Sequence, residues 1–194
     1  MSIPMAAPPR AMARLVDAKL PKYFTRDEIA RLTSGARPGR DRLMLRTLWE
    51  TGVRVSELLA LTTGSIDFAA EAIQVATLKR RAHVRAVPIR PALLGELARH
   101  IAGGGIGADA RLFGITRQRV HQIVVGAASD AGLSRDRAHP HTLRHSFAIA
   151  CVLARVPVLV LAEWLGHATL AATLVYTKIL CADSRRYLDD VDFG

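Results

Sequence analysis

Five side chains of this 194-residue chain could together hold and attack a phosphodiester. They are Arg54 in TGVRVSELLAL, His141 and Arg144 in HPHTLRH, His167 in LGH, and Tyr176 nine residues beyond it. A guanidinium is a forked, permanently charged donor that matches the non-bridging oxygens of a phosphate. An imidazole can donate a hydrogen bond or move a proton near neutral pH. A phenol, with a pKa of about 10, attacks poorly until positive charge or a base helps it lose its proton. Together these groups could neutralise the charge that builds on phosphorus and form a covalent link without a metal, which suggests phosphate chemistry on DNA. Taken singly, each has an ordinary reading. Arg144 could pair with an acidic neighbour, His167 could be a surface histidine after a glycine, and most tyrosines pack, as Tyr23 and Tyr187 are expected to do.

The elements that must position these residues can be read around them. Pro140 suits the first position of a helix, so His141 and Arg144 fall on one face near its N-terminus, where backbone N–H groups favour an anion. Pro157 can start the next helix, with Leu161, Ala162 and Leu165 inward. Gly166 fits the left-handed residue that ends it, leaving His167 just past the terminus. Three histidines in HPHTLRH raise a zinc question, but Pro140 breaks any regular helix through His139 and the segment holds no Cys or carboxylate. No metal is expected, and His145 is expected to pack in the core with its ring bonded to the backbone.

Upstream, Thr25 followed by Glu28 is a capping-box signature for a helix carrying Ile29 and Leu32 inward. A second helix is predicted over Asp41 to Glu50, with Leu45, Leu48 and Trp49 on its apolar face, ending at Gly52. A short helix from Ser56 to Leu61 follows, with Arg54 just before it. Ile66, Phe68, Ile73, Val75, Val84, Val87 and Ile89 then alternate in short runs that read as a small antiparallel sheet, with Lys79 at a turn between two strands. Helical spacing returns after Pro91 through Leu93, Leu94 and Leu97, closed by a GGGIG loop, and helices dominate to the end.

At this point the chain resembles the catalytic domain of the tyrosine recombinases, the phage-integrase family. Its ordered motif is an arginine, a hairpin lysine, His-x-x-Arg, LGH and a tyrosine, matched from about Pro21 to Leu180. The resemblance implies an α+β domain, mostly helical with a small antiparallel sheet. It also implies a site-specific DNA recombinase that cleaves and rejoins DNA through a 3′-phosphotyrosyl intermediate. Tyr176 would be the nucleophile. Arg54, Arg144 and His167 would hold the phosphate, His141 would add a hydrogen bond or shuttle a proton, and Glu57 would orient its neighbours. The family hairpin carries a general-acid lysine at a fixed distance before an Arg-x-Val-Pro element, here RAVP. Counting back from it reaches Arg80, and Lys79 one step earlier is taken as the acid because a lysine can release a proton where an arginine cannot. Two other readings stand beside this one: a type IB topoisomerase, which shares the chemistry but relaxes supercoils, and a non-catalytic DNA-binding regulator with the same fold.

Composition agrees. Lys plus Arg outnumber Asp plus Glu by 27 to 17, a net +10, with a pI near 10.7, the balance of a surface that meets a polyanion. Half of the residues are hydrophobic and 23% charged, which fits a soluble globular domain. No apolar run is long enough to cross a membrane, and MSIPMAAPPRAMARL reads as neither signal nor anchor, so a cytoplasmic protein is expected. Cys151 lies in an apolar run and is expected to pack reduced. Residues 1 to 20 read as a mobile tail, 21 to 180 as the catalytic domain, and 181 to 194 as a C-terminal tail that could be exchanged between protomers. Double-stranded DNA, further copies of the chain in a tetrameric synapse and an accessory DNA-binding protein are the expected partners. No cofactor is expected.

Overall fold

The computed structural model describes residues 20–76, 84–107 and 109–181. Among the described residues, eight α-helices accompany a three-stranded sheet. α1 (Arg26–Gly35) and α2 (Arg40–Thr51) precede a single turn, α3 (Val55–Leu58). β1 (Ile66–Asp67), β2 (Ala72–Ala76) and β3 (Val84–Pro88) follow, then α4 (Pro91–Gly104), α5 (Arg117–Asp130), α6 (Pro140–Leu153), α7 (Val158–Leu165) and α8 (Ala171–Cys181). The α+β expectation is met.

Local signals set the first helices. At the start of α1 the Thr25 hydroxyl accepts from Glu28 N at 3.3 Å and the Glu28 carboxylate accepts from Thr25 N at 2.9 Å, the reciprocal cap expected from sequence. Ile29 and Leu32 are buried. α2 ends where Gly52 adopts φ +63°, and a Cβ there would lie 2.3 Å from the Phe147 ring, so α2 and α6 cross at a residue that must be glycine. α3 is shorter than the Ser56 to Leu61 helix expected. After Leu58 the chain tightens into i+3 bonds, Ala60 N to Glu57 O and Leu61 N to Leu58 O, which bury Leu61 without a second α-turn.

The sheet is antiparallel in the order β1-β2-β3, with Ile73 paired to both Ile66 and Val87. β1 stops after two residues because the Asp67 carboxylate turns back to accept from the Ala69 and Ala70 N–H groups, so Phe68 lies outside the strand and is exposed. In β3 burial alternates, and Arg85 shares the inward face with Val87. The GGGIG segment is partly helical, since α4 runs to Gly104 and Gly105 is its left-handed cap. Lys79 and Arg80 fall between β2 and β3 and lie outside the described residues, as do residues 1–19 of the tail expected at 1–20 and residues 182–194 of the tail expected at 181–194.

Two apolar clusters result. The larger joins α1 to α6 and the sheet, with Leu32, Met44, Leu45, Leu58, Ile73, Leu93, Phe113 and Leu143 among its buried members. The smaller is built from Phe147, Ile149, Val152, Leu161, Leu165 and Tyr176, on α6, α7 and α8. α6 is the shared wall, packed on α2 and on α8.

Candidate active site

Arg54 caps α3, with its backbone N–H given to the Glu57 carboxylate at 2.8 Å and its guanidinium to the same carboxylate at 2.9 Å. Its terminal nitrogens also reach the carbonyls of Leu165 and Gly166 at the end of α7, at 3.4 and 3.3 Å. The Arg54 side chain remains 35% exposed, so a charged donor set faces solvent while its orientation is fixed from behind.

Glu57 is that rear support. Only 3% exposed, it binds Arg54 in front and Arg85 behind, with Arg85 donating at 3.2 and 2.8 Å. Burial pushes the Glu57 carboxyl up, but the Arg85 guanidinium and the Arg54 backbone N–H outweigh it and hold it below the usual range. Arg85 itself is 1% exposed and donates Nε to the Trp164 carbonyl at 2.9 Å. Gly166, at φ +61°, sits against it, and a Cβ there would lie 2.8 Å from the guanidinium. One buried arginine therefore ties the sheet, α3 and the end of α7 together. Its signal in the sequence is parity: in VRAVP it takes the inward place two residues before Val87, where an unpaired charge would be costly.

Arg144 enters from the first turns of α6 and is 4% exposed. It donates to the Gly52 carbonyl at 2.6 Å and the Leu165 carbonyl at 2.7 Å, using two of its five N–H groups. Burial, then the Arg54 charge, lower it to about 10, so it stays a cation at neutral pH. His141, one turn earlier, reaches solvent and stacks on His145 at 6.3 Å, and partial burial with Arg144, Arg117 and Arg54 lowers its pKa.

His167 follows the Gly166 cap as expected, and its Nδ1 is 2.8 Å from the hydroxyl of Thr173, which is fully buried on α8. Burial first, then Arg144, Arg54 and Arg85, bring His167 to about 4. Tyr176 is 3% exposed, its ring stacked on His167 at 6.4 Å. Burial raises its hydroxyl, and Arg144 and Arg54 oppose that rise. His145 is the correction: its Nδ1 lies 2.9 Å from Tyr176 Oη, so its ring pairs with the phenol and not with the backbone. The α6–α8 approach that makes this pair is tertiary and left no local trace. Thr173 and Arg85 were likewise not singled out from sequence.

Arg54, Glu57, Arg144, His167 and Tyr176 thus converge from four parts of the chain, with His141 at the rim. Of the other HPHTLRH histidines, His139 stacks on His121 at 5.5 Å while His145 faces Tyr176, so the three do not share one centre. Cys151 is free and partly buried, its thiol pushed up to about 12 by burial.

Residues 22–182 match the model of the phage integrase family. The chain belongs to that family. The recombinase is 30% identical over 213 residues to a resolvase of Escherichia coli, covering 93% of this chain and 82% of that protein. It is 38% identical over 181 residues to the tyrosine recombinase XerC of Herpetosiphon aurantiacus, covering 84% of this chain and 58% of that one. Its fold matches a XerH site-specific recombinase bound to a palindromic difH substrate, a post-cleavage complex, with a TM-score of 0.75 at 24% identity, covering 89% of this chain and 53% of that one. The recombinase therefore spans most of the resolvase and a little over half of the other two. The chain carries the tyrosine recombinase catalytic domain and is a tyrosine-type site-specific recombinase. No described helix is long and apolar enough to cross a membrane.

Proposed function

We propose that the recombinase cleaves one strand of duplex DNA by attack of Tyr176 Oη on a phosphodiester, forming a 3′-phosphotyrosyl link that stores the bond energy for rejoining. The observation that carries this reading is the placement of a buried phenol between His145 and His167, with Arg144 and Arg54 close enough to oppose its rise in pKa. Arg54, Arg144 and His167 supply the donors for the non-bridging oxygens, a clamp that strengthens as charge builds in the transition state. Glu57 orients Arg54. His141, at the solvent rim, adds a hydrogen bond or relays a proton. Lys79 protonates the departing 5′ oxygen, a role argued from the RAVP spacing and from the ability of a lysine to release a proton.

The net charge of +10 supports duplex DNA as the partner, and the XerH relative is described as bound to its difH substrate. Exchange of strands between two duplexes calls for four copies of the recombinase in one synapse, with residues 181–194 as the coupling segment, and an accessory DNA-binding protein extends its grip. Topoisomerase and regulator readings are less supported, because the relatives are recombinases and a binding module has no use for a buried phenol facing two arginines. Tyr176→Phe on a nicked suicide duplex tests the reading. Covalent attachment should vanish while DNA binding by gel shift persists, and trapping by the Phe variant would overturn the assignment.

A further inference from the structure

The proposed nucleophile needs a proton acceptor, and the candidates can be separated by geometry. His167 stacks on Tyr176, but its Nδ1 is engaged by Thr173. Glu57 is committed to Arg54 and Arg85. His141 stacks on His145, with ring centroids 6.3 Å apart. His145 alone of these places a ring nitrogen on the reacting oxygen, Nδ1 at 2.9 Å from Tyr176 Oη, with the rings tilted by 45° and centred 5.8 Å apart.

We infer that His145 is the catalytic base that takes the Tyr176 proton as Oη attacks phosphorus. This deepens, and rests on, the reading of Tyr176 as nucleophile. For the phenol to donate, His145 must be neutral with its own proton on Nε2. Burial, then His141 and Arg144, bring its pKa to about 4, so the ring is neutral at neutral pH and one of its nitrogens is free to accept. A resting base that weak would hardly deprotonate an isolated phenol. Two changes on substrate binding narrow the gap: the phosphodiester offsets the Arg144 charge, the least of the three influences that lower His145, and the phenol becomes acidic as its oxygen bonds to phosphorus. The step balances. The Oη–P bond forms, the Oη proton passes to Nδ1, the bond from phosphorus to the 5′ oxygen breaks, and that oxygen takes a proton from the acid assigned to Lys79. In rejoining, the 5′ hydroxyl attacks phosphorus and gives its proton back to the group assigned as Lys79, the Oη–P bond breaks, and His145 returns its proton to the departing phenolate.

Single-turnover attachment of the full chain to a nicked suicide duplex reads the role. His145→Ala and His145→Phe should slow attachment by about 10²-fold or more with binding unchanged, the range of a lost general base. Added imidazole should restore part of the His145→Ala rate and none of the Tyr176→Phe rate, a rescue that a purely packing role would not give. Attachment by His145→Phe at the parent rate, or a His145→Ala defect untouched by imidazole, would overturn the inference. If that happens while Tyr176→Phe stays inert, the nucleophile stands and only the base falls; trapping by Tyr176→Phe would remove both. Should the variants fold poorly, nitrogen NMR of the parent protein reports the tautomer directly, with Nδ1 unprotonated expected and a proton fixed on Nδ1 overturning the inference.

Discussion

Arg144 and Tyr176 are almost equally buried, yet the chain holds them by different means. Arg144 is pinned by two backbone carbonyls on separate elements, Gly52 after α2 and Leu165 at the end of α7. Arg54 in turn is backed by Glu57, and Glu57 by Arg85. Arg54, Arg85 and Arg144 are each held by buried partners, so their donors are fixed in place in advance, which is what the electrostatic preorganisation of the proposed clamp requires. Tyr176 sits in the smaller apolar cluster, on a helix linked to the rest by side-chain pairs, Tyr176 with His145 and Thr173 with His167. The difference matches the labour proposed for the two groups. A charge clamp gains from rigidity throughout the cycle, whereas a nucleophile must form a bond, carry a strand and release it.

The sharpest way to break this comparison is to remove one member of the clamp. Arg144→Ala should lower single-turnover cleavage by about 10³-fold, since the proposed transition-state donor is lost and two carbonyls lose a charged partner. Binding of intact duplex should change far less, because phosphate contacts across a +10 surface remain. Cleavage within tenfold of the parent would show that Arg54 alone holds the oxygens.

The support behind the clamp should be worth more to stability than to binding. Arg85→Leu leaves Glu57 buried with only Arg54 and strips the Trp164 carbonyl of its donor. Breaking a buried ion pair from one side typically costs about 3–5 kcal/mol. Urea melts should show that loss, and a variant as stable as the parent would mean that Arg85 is not a structural tie.

Acid should strike the histidine half first. His145 and His167 are each held near 4, below the ordinary imidazole value, by burial first and then by cationic neighbours, with His141, Arg144, Arg54 and Arg85 facing them. Between about pH 6.5 and 4 the unfolded chain binds these protons and the folded chain does not, so stability should fall as pH drops through that window. Unfolding free energies at pH 7, 6, 5 and 4 check the sign. His167→Asn should flatten the slope, and an unchanged slope would place the titration elsewhere.

What the sequence disclosed follows from the range of each interaction. The Thr25–Glu28 cap, the Gly52 and Gly166 stops and the Pro140 start are local, and each stands where its chemistry put it. The two-residue β1 was misjudged because Asp67 competes with the ladder for its neighbours' N–H groups, a choice that alternation does not encode. Ordered spacing brought out Arg54, His141, Arg144, His167 and Tyr176. Arg85 was available in the strand parity but needed Glu57 across the sheet to give it a meaning. His145 and Thr173 depended on how α8 lies against α6 and the 166–170 loop, contacts that bridge 31 and six residues and have no periodic signature.

The smallest expected effect is at Thr173. Thr173→Val keeps the shape and burial of the side chain and removes only its hydroxyl, so the apolar packing of α8 is retained. His167 Nδ1 then loses its partner in a half-buried place, worth about 1 kcal/mol in stability for a neutral hydrogen bond. The ring is also freed to turn, and since a misplaced donor acts only when phosphate charge develops, the cost should appear in the chemical step, about tenfold in the single-turnover rate, and not in DNA affinity. Thr173→Ser, which keeps the hydroxyl, should recover most of that rate. If Val and Ser behave alike, the hydroxyl does not hold His167, and the nucleophile half is as rigid without it as the clamp is with its carbonyls.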